Sequence, residues 1–116
     1  MLRDEIQAIL DEYGEEVEEE LREIIPAVAK EAAKKLRKSS PDNKGGYAKG
    51  WTQQTEKGRM TVSSVIYNKA KPGLPHLLEY SHALRNGGRS RPIPHIAQVE
   101  EWANTEVVKR IEEALR

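Results

Sequence analysis

Apolar residues recur at Leu2, Ile6, Ile9, Leu10, Tyr13, Val17, Leu21, Ile24, Ile25, Val28, Ala32 and Leu36, mostly in steps of three and four. A helix of 3.6 residues per turn gathers such positions into one apolar stripe, and nearly everything between them is charged or small. Few arrangements can accommodate a stripe of this length: it must lie along the core of its own domain or against a neighbour. Gly14 weakens the pattern locally, and Pro26 removes a backbone donor. These two residues predict a helix over 2–24 and a second over 27–38, one long N-terminal helix bent near Pro26. Pairs such as Glu18–Arg22 and Glu31–Lys35 fall on the wet face, where each contributes only tenths of a kcal/mol.

The helix is expected to end at Ser39-Ser40-Pro41, because the residue before a proline avoids the helical region. Asp42-Asn43-Lys44-Gly45-Gly46 then reads as a loop. Alternation and β-branched residues on either side of Lys57-Gly58-Arg59 predict a hairpin with strands near 50–56 and 60–68. Met60, Val62, Ser64 and Ile66 would share one face, and Val65 and Tyr67 the other. Pro75 suits the first turn of a short helix over 76–80, anchored by Leu77 and Leu78. An extended loop rich in glycine and arginine follows, and Pro94 opens a last helix. The apolar set of that helix is Ile96, Val99, Trp102, Ala103, Val107, Ile111, Ala114 and Leu115. The fold class is therefore α+β. A chain of 116 residues suits a single domain over 1–116, with a helical arm over 1–38 and an α+β body over 47–116.

The formal net charge of zero hides a strong asymmetry. Residues 1–29 hold ten acids and two bases, while residues 30–59 hold nine bases and three acids. Residues 60–95 are again basic, and 96–116 slightly acidic. Fields of opposite sign on one small chain favour head-to-tail contact between copies, or contact with a charged partner. The absence of cysteine leaves no disulfide framework and no thiolate metal site, which suits an intracellular, soluble protein. No apolar run has the length of a signal peptide core or a membrane span, so no membrane partner is expected.

All three histidines fall between Leu74 and Ile96. His76, Glu79 and His82 are residue types that ligate zinc or iron, but their spacing lacks the paired histidines four apart of a helical zinc site. The plainer reading is that His76 and His82 hydrogen-bond the loop while Glu79 pairs with an arginine. No serine sits in a nucleophile elbow, and Gly87-Gly88 lacks the continuation of a phosphate loop. No cofactor, no metal and no catalysis are expected. Lys44, Lys49, Lys69, Lys71, Arg85, Arg89 and Arg91, with Tyr47 and Trp51 as stacking platforms, leave a small DNA-binding accessory protein as the alternative.

Two spaced signatures carry a family resemblance. The first is Ser40-Pro41 followed by Gly46-Tyr47-Ala48-Lys49-Gly50-Trp51. The second is His76-Leu77-Leu78-Glu79-Tyr80-Ser81-His82-Ala83 with Gly87-Gly88-Arg89 and Pro94-His95-Ile96. In this order they resemble the gene-ten-like tail-component family of long-tailed bacteriophages and prophages, over roughly residues 28–116. The chain departs from that pattern at Ser81, where the family usually has glycine, and at Gln98 and Val99, where proline and alanine are common. The resemblance implies a structural protein of the virion neck or tail end, present in the host cytoplasm during assembly. It implies tail completion or head–tail joining through a ring, expected to be hexameric, docked to connector and tail-tube or tail-terminator proteins. In that setting Lys44, Lys49, Arg85, Arg89 and Arg91 are the candidate partner-binding loops. Trp51, His76, Leu77, Leu78, Glu79, His82, His95 and Trp102 are the motif and core.

Overall fold

A computed structural model describes residues 4–10, 14–41, 46–72, 75, 79, 87–89, 91, 92 and 94–115. The expected N-terminal helix does not begin at residue 2. Asp4–Ile9 is a strand (β1), and the helix (α1) spans Glu15–Ser39. Ile6, Ile9 and Leu10 fit helical spacing, but Ile6, Ala8 and Leu10 also alternate, and pairing with another strand decides between the two. Ala8 and Leu10 are buried while Ile9 between them is 46% exposed, as the two faces of a strand require. Gly14 stands at the N-cap of α1 in extended conformation and marks the switch from strand to helix.

α1 runs without interruption through Pro26. The proline leaves the Arg22 carbonyl without its intrahelical donor, and packing compensates. Eight side chains of the helix are buried, from Leu21, Ile24 and Ile25 through Val28, Ala29, Ala32 and Ala33 to Leu36. Glu15, Glu16 and Glu18 in the first turn and Arg37 and Lys38 in the last lie at the dipole ends that favour them. The Ser40 N–H closes the helix on the Leu36 carbonyl at 2.9 Å, and Pro41 prevents continuation.

A single 3-10 turn, Ala48–Gly50, leads into the hairpin of β2 (Trp51–Lys57) and β3 (Thr61–Asn68). The sheet is antiparallel throughout with order β1-β3-β2, so β3 is central. Val62, Ser64, Ile66 and Asn68 of β3 all point to the buried face, so the structure decides which of the two alternating faces meets the core. Met60 instead lies in the turn, half exposed. Ser64 is tolerated there because its hydroxyl meets Thr55 Oγ1 across the strands at 2.7 Å.

The last helix (α2) spans Ile96–Ala114 and lies antiparallel to α1. Lys35 places its ammonium 4.5 Å from the Trp102 ring, and Arg110 pairs with Glu31 of α1 and with Glu106 one turn back. Ile96, Val99 and Ala103 are buried, while Trp102, Val107 and Ile111 pack at the edges of the core. Both helices therefore cover one face of the sheet in a molecule of 57 × 24 × 22 Å. The short helix expected over 76–80 falls largely outside the described residues, of which Pro75 and Glu79 are helical.

Candidate functional site

Of the signature residues, Ser40, Tyr47, Trp51, Glu79 and His95 converge on one buried polar seam where α1 ends, β2 begins and α2 begins. Trp51 is 2% exposed, and its indole N–H donates to the Ser40 hydroxyl at 2.7 Å, tying the start of β2 to the C-cap of α1. Arg37 donates to the Trp51 carbonyl at 2.8 Å. The Tyr47 hydroxyl meets His95 Nε2 at 2.7 Å, and Tyr47, Trp51 and His95 contact one another edge to face. His95 Nδ1 lies 3.3 Å from Glu79 Oε1. With Nδ1–H turned toward the carboxylate and Nε2 accepting from the phenol, both ring nitrogens are satisfied.

Glu79 carries the unexpected assignment. It does not pair with an arginine. Its carboxylate accepts the backbone N–H groups of His95 at 2.7 Å, Ile96 at 2.9 Å and Ala97 at 3.1 Å. It therefore caps the N-terminus of α2 from a distant part of the chain, where orphan donors and the helix dipole both favour an anion. Burial raises the Glu79 carboxyl, but the three backbone donors and the His95 ring outweigh it and hold the group below the usual glutamate range. Burial, and then the Glu79 charge, push the Tyr47 phenol well above its usual range; a hydrogen bond from Ser40 acts in the opposite sense. Tyr47 therefore stays a donor. Among the described residues no buried side-chain nitrogen or oxygen lacks a partner. A carboxylate so fully engaged has little capacity left for a metal, and Glu79 is thereby removed from the His76–Glu79–His82 set. His76 and His82 themselves lie outside the described residues.

Asn68, the last residue of β3, is the second organiser. Buried at 2% exposure, it donates to the Tyr47 carbonyl at 2.7 Å and accepts the N–H groups of Ala70 and Lys71 at 3.1 and 2.9 Å. The Lys69 N–H reaches the Gly50 carbonyl at 3.0 Å. A Cβ on Gly50 would stand 2.4 Å from Asn68 Oδ1 and 2.6 Å from Ala70 Cβ, so only glycine permits this close approach. Lys49, Lys69 and Lys71 consequently project into solvent from one rigid corner.

Of the other candidate partner-binding residues, Arg89 and Arg91 are exposed, and Lys44 and Arg85 fall outside the described residues, as do Leu77 and Leu78. Tyr47 and Trp51 are both buried and have no face to offer a nucleic-acid base. The basic block of residues 30–59 does not stay together in space. Arg22 donates to the Arg59 carbonyl at 3.0 Å, which places the hairpin turn beside the acidic half of α1. Lys30, Lys34, Lys35, Arg37 and Lys38 stand on the second half of α1, and Lys49 shares a corner with Lys69 and Lys71. At the acidic end, Glu16, Glu19 and Glu20 line a recess with Ala114 and Leu115.

A protein-family model described as "Bacteriophage HK97-gp10, putative tail-component" matches residues 4–87. This chain belongs to that tail-component family. The matched span includes β1 and the acidic half of α1, which the signatures had left less diagnostic, and stops short of Pro94-His95-Ile96. The family's span thus contributes Tyr47, Trp51, Asn68 and Glu79 to the seam, while His95 is supplied by the segment beyond it. Membership makes the chain a bacteriophage tail component and suggests the virion as its place. No curated protein and no solved structure matches it. No helix is long and apolar enough to cross a membrane among the described residues.

Proposed function

We propose that this tail component acts at the neck or tail end of the virion, in tail completion or head–tail joining, without catalysing a reaction. It assembles as a ring, with hexamers expected, and docks to connector and tail-tube or tail-terminator proteins. The observation that carries this reading is the separation of charge on one packed body. Glutamates of the first half of α1 gather at one end with Glu112 and Glu113 of α2, and Lys34, Lys35, Arg37 and Lys38 stand at the other end of α1. A subunit with unlike surfaces can make heterologous contacts, and these close into rings when the rotation allows. The same asymmetry gives a ring two different ends for two different neighbours.

A DNA-binding role would need accessible aromatic platforms among the cations, and Tyr47 and Trp51 are buried instead. Sedimentation of the purified chain, with and without a short duplex, tests the proposal. Self-association that weakens as salt rises, with no duplex bound at physiological salt, is the expected result. A monomer that binds duplex with steep salt dependence would overturn it.

A further inference from the structure

We propose that a groove between β1 and α2, rimmed by Glu5 and Glu100, receives the lysine corner of a second copy of this chain. The inference rests on the ring reading above and names the contact that would build the ring.

β1 and α2 both rest on α1, and two adjoining hollows remain between them. The inner one, about 40 Å³, is lined by Ala32, Leu36, Ile66, Val99 and Ala103, with Glu5 and Glu100 at its mouth. The outer one, about 280 Å³, shares Glu5, Ile6 and Asn104 with the first. It continues past Leu21 and Ile25 to Val108, which is 55% exposed. The groove is thus largely aliphatic inside, with Gln7 and Asn104 on its wall and Glu5 and Glu100 at its edge. Among the described residues neither rim carboxylate is in an ion pair. Exposed acids around an apolar groove call for a cationic occupant and repel a nucleic acid.

The chain carries such an occupant. Lys49, Lys69 and Lys71 surround the exposed Ala70, and among the described residues none of these lysines is in an ion pair. The bonds from Asn68 to Tyr47, Ala70 and Lys71, and from Lys69 to Gly50, hold the backbone of this corner before any contact is made. A preformed projection loses little entropy on docking. Apolar burial in the groove would supply affinity, and the lysine–glutamate pairs would supply orientation and encounter rate. The corner lies where β2 begins and β3 ends, whereas the groove runs along β1 on the far side of β3. A contact between two such different surfaces repeats from copy to copy, as a ring requires.

Two full-length variants test this, Glu5→Lys with Glu100→Lys, and Lys69→Glu with Lys71→Glu. All four positions are exposed, and circular dichroism confirms that each variant is folded. By sedimentation at low salt the unaltered chain is expected to assemble, and each variant alone to self-associate about tenfold more weakly or worse. An equimolar mixture of the two should recover assembly, because the reversed charges again face each other. Assembly of either variant at the level of the unaltered chain, or a mixture that fails to recover it, would overturn this contact and leave the ring reading standing. An unaltered chain that stays monomeric at every concentration would overturn both.

Discussion

Glu79 and His95 are joined across sixteen positions of the chain: Glu79 Oε1 accepts the His95 backbone N–H at 2.7 Å and lies 3.3 Å from the ring Nδ1. The bond closes the intervening segment at its base and fixes where α2 begins. It makes Glu79 a structural carboxylate in a position where catalytic or metal-binding roles come first to mind. Replacing Glu79 by alanine strands three backbone donors in a buried setting and should destabilise the fold by about 3 kcal/mol or more. Glutamine keeps one carbonyl acceptor but loses the charge, and should cost roughly 1–3 kcal/mol. Urea unfolding of the three proteins measures both steps.

The same group predicts an acid dependence. Its folded carboxyl titrates below the ordinary glutamate value of 4.5, so the unfolded chain takes up the proton first as pH falls. The stabilisation is complete above that value, declines as pH drops below it, and is gone once pH passes the folded value. Thermal unfolding between pH 6 and pH 3 should therefore fall more steeply for the native chain than for Glu79→Gln. Parallel curves would show that Glu79 is not the group responsible.

Gly50 and Gly14 should respond in opposite ways to a side chain. Gly50→Ala drives a methyl group into Asn68 and Ala70, and should cost about 2–4 kcal/mol as the lysine corner shifts. Gly14 has nothing within 4 Å of a built Cβ, and its N-cap position lacks a side-chain acceptor. Gly14→Ser should stabilise by a few tenths of a kcal/mol. Chemical denaturation of the two variants gives the comparison.

Pro26 is carried inside α1 at a cost that burial of the neighbouring side chains offsets. Pro26→Ala restores a donor to the Arg22 carbonyl and should raise stability by about 1–3 kcal/mol, read as an upward shift of the urea midpoint. An unchanged or lower midpoint would mean that the ring of Pro26 contributes packing of its own.

Much of this architecture could be read from periodicity. The hairpin strands appeared within a residue or two of their bounds, because alternation in Thr61–Asn68 has one buried face. The second half of α1 and the whole of α2 followed from a stripe that only a helix can gather. Residues 4–9 were misread because six residues containing Ile6, Ala8 and Ile9 fit both periods, and only long-range pairing with β3 decides between them. Gly14 was the available warning, being a poor helix interior and a tolerable cap. The seam was legible as a set of names but not as a set of bonds, since hydrogen bonding between distant segments leaves no local pattern. One signal did point to Glu79. α2 starts after Pro94-His95, with none of the usual capping residues at its N-cap, so its N–H groups needed an acceptor from elsewhere.

The most direct test of the assembly role is imaging of particles made by the parent phage or prophage with and without this chain. The account predicts that particles lacking it accumulate as unjoined heads and tails, or tails with incomplete ends, and that supplying the chain restores joined, infectious virions. Normal joined and infectious particles in its absence would contradict it.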